Sequence, residues 1–544
     1  MTNTYDTSNE PLGSTAVKVL YNNASNLDEA VNSDEGTWVD RPPFGRIRRT
    51  WRGMENAFDQ FLLNSGYQFI GDYDTDGPLT ITAANQIFSK DGEYWRSGPS
   101  LALPYTTVNN WVVDQPKFVS VGDAALRTDL SASNGAELVG FMGLTVSQQL
   151  QMGGLTPYNF GAVGDGIADD TLAVQNWAQS PLSHFKYWGD GVFVVKGPVQ
   201  FRAGDRVQGN GGSTKVDFSQ DVSGSLACIS VTGQLAALPN LAANIAFRDN
   251  AVSFLSAHGL KTGDTFLVWN PTDSSWSTWR SDYRAGEWFR VGLVTSTTDL
   301  TTFGLSYDAY VSGAVQCHKL VGASVSFRDF EIIQPATSNA GLKISLIDGV
   351  TVENVTTGGG VYAGIYIDKC VNLKIHSRAT QASSPAAGNN YGLVIGNSQG
   401  GTVDGIYYGT RHAVSLGGNV GVGSVCCRNL IIKANYHNLG PIQSQDLHGN
   451  TEDITFIGGT FTNGGVLAGK GNRWIGSNFL GKTNLGIALL MGEVKGGDFH
   501  LVGCNFDSTV NPNPSGQGVI SLLNFTASVT EDTQIIFDAP TFRC

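Results

Sequence analysis

From about residue 320 onward the chain repeats itself. Short β-prone runs begin near Val325, Val350, Val371, Val403, Leu430, Ile454, Trp474 and Phe499, spaced by 20 to 32 residues and by about 25 on average. A second series of runs lies between them, at 364–367, 391–395, 412–416, 442–447, 465–468 and 485–491. Periods of this size mark solenoids, propellers and arrays. Several strands within about 25 residues, with Gly and Asn at the corners, fit one coil of a parallel β-helix. A propeller blade needs about 40 residues, and a leucine-rich repeat needs a leucine ladder that this sequence lacks. Composition agrees. Glycine supplies 68 of 544 residues, against a usual share of about 7%, and only 15% are charged while 41% are hydrophobic. A disordered chain would be rich in charge and poor in aromatics. A collagen would show a Gly-X-Y period. Length alone suggests about three or four domains, but stacking lets one core keep growing. The inward positions of every coil are then expected to be apolar and uncharged.

The region before the repeat reads differently. Residues 1–36 are polar, with one short strand candidate at 16–21. Trp51, Met54, Phe58, Phe61 and Leu62 share one face of a predicted helix, with Thr50 as its cap and Gly66 as its stop. Strands are expected at 67–73, 86–89, 93–96 and 117–121, which makes a small α+β module. Residues 123–156 are small, polar and weakly helical, and read as a neck. At 160 the text becomes FGAVGDGIADDTLAVQNWAQS. Gly161, Gly164 and Gly166 form a tight turn, Asp169 and Asp170 cap, and Leu172, Val174 and Trp177 begin an amphipathic helix. The segment lacks the Lys-Ser/Thr of a phosphate loop and the bidentate Glu of a calcium loop. Residues 250–320, rich in Trp276, Trp279, Tyr283 and Trp288, read as a small β insertion on the solenoid wall.

Net charge is −13. Nucleic-acid binding would call for a basic stripe, and the one basic cluster, Arg46, Arg48, Arg49 and Arg52, reads as a solvated or salt-bridged patch. The seven cysteines are irregularly spaced without a Cys-x-x-Cys, so buried free thiols made in a reducing cytosol are expected rather than a zinc site or a disulfide framework. No metal and no cofactor are expected. The polar start carries no signal peptide, and no apolar run reaches the roughly 18 residues of a membrane span. The sequons at Asn23 and Asn524 therefore carry little weight.

The chain resembles bacteriophage tailspikes with a pectate-lyase-like β-helix. The phrase FGAVGDGIADDT at 160–171 resembles the cap that opens such helices. DRPPFGRIRRTWRGME at 40–55, FLLNSGYQFIGDY at 61–73 and LPYTTVNNW at 103–111 resemble tailspike head-binding modules. The resemblance implies an all-β dominated fold, a right-handed parallel β-helix (a single-stranded solenoid) behind a small α+β head-binding module. Expected boundaries are 1–120 for virion attachment, 121–156 for the neck, 157–505 for the β-helix with its insertion at 250–320, and 506–544 for terminal strands that stabilise a trimer. It further implies a homotrimer docked to a tail adaptor through its N-terminal module, assembled in the host bacterial cytoplasm and acting at the host cell surface. The implied target is bacterial surface polysaccharide, capsule or O-antigen, with no nucleic acid and no membrane insertion.

Sites in a solenoid are sought by coil, because stacking brings together residues about 25 apart. Arg411 and His412 fall in one coil, Asp446 and His448 in the next, and Tyr391 in the coil before. Strand alternation puts Asp446 and His448 on the same face. The Asp-x-His element resembles that of β-helical alginate epimerases, although the aromatic expected before it is replaced by Gln443 and Ser444. Abstracting a proton beside a uronate carboxylate needs a base and a compensating charge. His448 is the candidate base, Arg411 pairs the carboxylate, Asp446 orients, and His412 completes the group. The competing reading makes these residues a strand end and a turn. Tyr391, Trp279, Trp288 and Arg284 are candidates for contacting sugar. A glycoside hydrolase would instead use two carboxylates, and Asp368, Asp404 and Glu452 are the candidates. A polysaccharide depolymerase follows, with β-elimination ahead of hydrolysis. A non-cleaving receptor-binding or scaffold spike is the alternative. A secreted pectinase-like enzyme fits less well, for want of a signal peptide.

Overall fold

The computed structural model describes residues 17–40, 45–64, 66–121, 130–131, 135–141, 144–146, 154–272, 283–336, 340–380, 389–418, 421–438, 442–481, 489–509, 520–521 and 533–543. The chain divides into two compact units, Met1–Gln149 and Leu150–Cys544.

The first unit contains the predicted helix, Trp51–Asn64. The Thr50 hydroxyl accepts the Gly53 N–H at 2.9 Å, which satisfies one of the free donors at the helix start. Gly66 ends it with φ +77. Trp51 and Met54 are exposed at its head. Arg48 pairs with Asp40 and Arg52 with Asp34, so part of the basic cluster is salt-bridged. The strand expected at 16–21 is instead the start of a helix, Val17–Asn32. Val17, Val19 and Tyr21 alternate as a strand would, but Val17, Leu20, Ala24, Leu27 and Val31 follow a helical spacing over a longer stretch, and the longer pattern prevails. Four strands form one sheet in the order Gln68–Asp72, Gln86–Lys90, Glu93–Ser97, Phe118–Ser120, the first pair parallel and the others antiparallel. Its core gathers Tyr73, Leu79, Ile81, Phe88 and Phe118. The buried Asp114 carboxylate there accepts the hydroxyls of Tyr73 and Tyr105, each at 2.6 Å, and the Val108 N–H at 2.8 Å.

The second unit is the solenoid. A sheet of 28 strands runs from Asp165–Asp169 to Thr541–Arg543, and its lateral pairings are parallel. Val207, Phe327, Val352, Ile375, Val403, Ile432, Phe456, Trp474 and Leu501 hold equivalent positions in successive coils. All nine are buried. A second inward column is aromatic: Tyr436, Phe461, Phe479, Phe506 and Phe542. Their rings stack with centroids 4.5 to 5.2 Å apart and planes within 17°. Each such pair adds about 0.5–1.5 kcal/mol beyond burial of its area. The coils continue past 505, because Thr533–Asp538 and Thr541–Arg543 pair in parallel with the strands beneath them.

The turn at 161–166 needs its glycines, with φ of +93, +68 and +78 at Gly161, Gly164 and Gly166. It leads into the helix Thr171–Gln179. Asp169 caps this helix by accepting the Thr171 N–H at 3.1 Å. Asp170 does not cap; its carboxylate turns back to accept the N–H groups of Val163 and Gly164. The other helix end is closed by Lys186, whose Nζ donates to the carbonyls of Trp177 and Ser180 at 2.8 Å. Lys186 is fully buried, an exception to the uncharged interior, and burial brings its ammonium down to about 8.

The insertion is a six-stranded sheet that begins earlier than expected. Its order is Gln234–Ala237, Gln316–Val321, Thr265–Trp269, Gly286–Val294, Asp299–Thr302, Ala251–Ser253, all antiparallel. Thr265–Trp269 is buried on both faces. Phe266 and Val268 enter the insertion's own core, while Leu267 and Trp269 pack with Trp288 and Leu320 against Val371 and Val425 of the coils. Arg428 locks this contact from a fully buried position. Its guanidinium donates to Glu452 at 2.5 Å, Asp308 at 2.8 Å, the Gly286 carbonyl at 3.0 Å and Glu287 at 3.5 Å. Its neighbour Cys427 points into the solenoid core, so Arg428 points outward and is buried only because the insertion covers it.

The six cysteines among the described residues are buried with free thiols. No described helix is long and apolar enough to cross a membrane.

Candidate active site

The second strand of each coil builds the patch. His412–Gly417 and Gln445–Leu447 pair in parallel, with Ser415 opposite Asp446 and Leu416 opposite Leu447. Leu416 and Leu447 lie in the core, so Ser415 and Asp446 face outward. His448 follows the strand end, and its N–H donates to the Leu416 carbonyl at 3.0 Å. Gly417 makes room for it: a Cβ on residue 417 would sit 2.9 Å from the His448 Cβ.

The expected pair meets. His448 Nε2 lies 2.9 Å from Asp446 Oδ2, and His448 Nδ1 lies 2.8 Å from the Tyr283 hydroxyl. Ser415 Oγ donates to Asp446 Oδ2 at 3.2 Å. His412 Nε2 faces the same oxygen at 3.6 Å, while its Nδ1 lies 2.6 Å from the Gln443 carbonyl. A carbonyl only accepts, so His412 carries its proton on Nδ1. Burial pushes the His412 imidazolium down against the attraction of Asp446. Burial works to raise the Asp446 carboxyl. The two imidazoles and the hydrogen bonds from His448 and Ser415 outweigh it and hold Asp446 well below the usual carboxylate range. An ionised Asp446 accepts the His448 Nε2–H. With that proton on Nε2, Nδ1 presents a lone pair to the Tyr283 O–H at 2.8 Å. Carboxylate, imidazole and hydroxyl form a proton relay of the kind that activates an oxygen or a base.

Tyr391 and Arg411 join the same patch. The Tyr391 ring stacks on His412 at 5.8 Å, and the Arg411 guanidinium lies 5.9 Å from the Tyr391 ring centre. Arg284 is half-buried and binds the Pro271 carbonyl at 2.8 Å. Trp288 does not serve as a sugar platform. It is buried between insertion and coils, and its indole N–H donates to the Asn397 carbonyl at 3.0 Å. Trp279 lies outside the described residues, as does Trp276.

The candidate carboxylates do not pair. Asp368 stands at the end of the strand Ala363–Asp368, where Asn397 donates to it at 2.8 Å. Asp404 belongs to Gln399–Gly409 on the other strand series and faces His376 at 3.4 Å in solvent. Glu452 is consumed by structure. Burial works to raise its carboxyl, yet Arg428 and Lys495 outweigh that and bring it down to about 2. Sequence reasoning counted Tyr283 among the insertion's aromatics but gave it no role in the relay. It stands 165 residues from His448, and the coil period gives no signal for where an insertion folds back.

A family model described as Gp49, pectin lyase-like, matches residues 358–543, about a third of the chain. The fold is similar to that of the tailspike protein gp49 from Pseudomonas phage LKA1, with a TM-score of 0.65 and 26% identity over 70% of each chain. The tailspike gp61 of Pseudomonas phage phi297 follows at TM-score 0.62 and 25% identity, covering 71% of this chain and 70% of that one. The chain resembles phage tailspikes in sequence and in fold. A third tailspike-like neighbour, gp54 of Acinetobacter baumannii bacteriophage AP22, has a TM-score of 0.60 at 21% identity, covering 69% of this chain and 61% of that one. Its structure is that of a complex with A. baumannii capsular saccharide. No curated protein sequence matches. The fold class read from the coil period, a parallel β-helix of the tailspike kind, is the one these neighbours share.

Proposed function

We propose that this chain is a tailspike of a phage virion that binds and depolymerises bacterial surface polysaccharide by β-elimination. Likeness to tailspikes supports the class of target, and the saccharide bound by the AP22 protein supports its chemistry. The observation that carries the reaction is the relay Asp446–His448–Tyr283, with contacts of 2.9 and 2.8 Å. In this reading Asp446 fixes the tautomer of His448, so that Nδ1 is the basic atom toward the Tyr283 hydroxyl. The proton beside a uronate carboxylate passes to the Tyr283 oxygen as the C–H bond breaks, while the Tyr283 proton moves to His448 Nδ1. The carbon electron pair forms the C=C bond as the glycosidic C–O bond breaks, and the leaving oxygen takes a proton from the relay. Arg411 pairs the uronate carboxylate and stabilises the charge that develops there. The N-terminal module at 1–120 attaches the spike to a tail adaptor, three copies assemble in the host cytoplasm, and the spike acts at the cell surface.

Incubation with purified surface polysaccharide tests the reading. Ultraviolet absorbance of unsaturated uronate rising together with reducing ends supports elimination. Reducing ends without that absorbance mark hydrolysis and overturn the relay as the catalyst. Asp446→Asn is expected to lower kcat by about 10²–10⁴-fold with the melting curve unchanged.

A further inference from the structure

The insertion meets the coils at two places that bear on function. Tyr283 faces the relay just described. On the insertion's other side lies a cleft of about 700 Å³ that the proposed reaction does not use. One wall is the insertion, with Phe247, Arg248 and Tyr307. The other is the coils, with Asp453, Lys470 and Arg473. The Arg428 hub separates the two sites, with its guanidinium 5.0 Å from the Tyr307 ring centre.

The lining has the two properties a sugar requires. Phe247 is 58% exposed, with the Arg248 guanidinium over its ring at 5.2 Å from the centre, and the apolar surface left exposed suits the C–H face of a pyranose. Charged donors converge on it from both walls: Arg248 and Arg473 are exposed, and Lys470 is half-buried. These cations gather on a chain whose net charge is −13. Two acids stand against them. Asp498 is exposed in the cleft. Asp453 is half-buried, and burial pushes its carboxyl up against the pull of Arg473. Glu452, which also lines the cleft, is held by Arg428 and Lys495. Arg473 and His500 are laterally paired positions on adjacent coils, so their side chains repeat at about 4.8 Å along the solenoid. That rise is close to the advance of one sugar ring along an extended chain.

We propose that this cleft is a second carbohydrate site, which takes a carboxylate-bearing saccharide segment between Arg248 of the insertion and Arg473 of the coils, with Phe247 as its apolar platform. It deepens the proposed function by naming a separate anchoring site for the same acidic polymer. Anchoring away from the relay raises the effective concentration of polymer at the relay without any new catalytic group.

The test is calorimetric titration of the full chain with tetragalacturonate, with maltotetraose as the neutral control. Hydrogen exchange is followed at Arg473–Ile475 and around residues 247–248. The acid tetramer is expected to bind at least about tenfold more tightly than the neutral one and to slow exchange at both places. Arg248→Gln with Arg473→Gln is expected to abolish that protection and, melting unchanged, to weaken binding by about tenfold or more. His448→Ala is expected to leave the protection in place. Absence of binding, equal binding of the neutral tetramer, or protection that survives the double substitution overturns the site. A chain that protects these residues yet never cleaves keeps the site and refutes the relay. One that cleaves without protecting them does the reverse.

Discussion

Arg428→Met removes the one cation that three carboxylates share, and its cost follows from the geometry. The guanidinium is fully buried and contacts Glu452, Asp308 and Glu287 at 2.5, 2.8 and 3.5 Å. Among the described residues, Glu452 alone of these partners has a further cation, Lys495 at 2.8 Å. Breaking a buried pair and leaving its partner charged costs about 3–5 kcal/mol. At 1.36 kcal/mol per decade, that is a loss of about two to four decades in the opening equilibrium of the docked strands. The assay is native-state hydrogen exchange. Protection of Gly286–Val294 and Cys427–Asn438 is expected to fall by that factor, while Asn478–Leu480 and Asn505–Asp507 hold theirs. The sign with pH is fixed. In the native chain Glu452 is depressed, so its contribution is full above its unfolded value of 4.5 and is lost as pH falls through 4.5 toward about 2. Glu287 is pushed by burial to about 7 against the pull of Arg428, so it costs stability as pH rises from 4.5 through 7. Without Arg428 both carboxyls rise, and the variant's deficit is expected to widen between about pH 5 and about pH 8. Protection within about threefold of the native chain at about pH 8 would refute the reasoning, because it would mean the carboxylates need no cation.

Other outcomes are equally open to measurement. Gly417→Ala places a methyl 2.9 Å from the His448 Cβ and is expected to lower kcat on polysaccharide by about tenfold or more through displacement of the ring, read by steady-state kinetics. Phe461→Ala takes one ring out of the aromatic column and is expected to cost about 3–5 kcal/mol, measured by denaturant unfolding. Thiol reagents are expected to leave Cys317 and Cys427 unmodified until the chain unfolds, because burial pushes each thiol up to about 12; mass spectrometry before and after denaturation checks this.

What the sequence revealed and what it hid divide along one physical line. Features that recur by coil were legible: Val325, Val350 and the later starts fall on paired strands, and alternation alone brought Asp446 beside His448. Local punctuation was legible too, in Thr50 and Gly66 around one helix. The helix Val17–Asn32 was misread because three alternating residues outweighed a longer helical spacing. The remaining errors share a cause. Trp288, Glu452 and Arg428 look like outward residues of a wall or of an insertion, and they are buried because two separately patterned surfaces meet. That meeting depends on how the sheet 234–321 folds onto coils more than a hundred residues away. No periodicity encodes it, and Tyr283 reaches His448 by the same route.

The column Tyr436, Phe461, Phe479, Phe506, Phe542 also bears on how such a chain can change length. Each ring stacks face to face on the rings above and below, with Phe456 and Phe537 beside the column, so adding one coil between Phe506 and Phe542 re-forms the same stack with a higher count. The coils beneath the insertion do not share that freedom. Asn397, Gln399, Arg428 and Glu452 each meet the dock at a fixed height, and one extra coil among them would move half the contacts by a full rung. Evolution by coil number is therefore confined to the coils past His500, beyond the Lys495 contact with Glu452 and the cleft wall at Arg473 and His500.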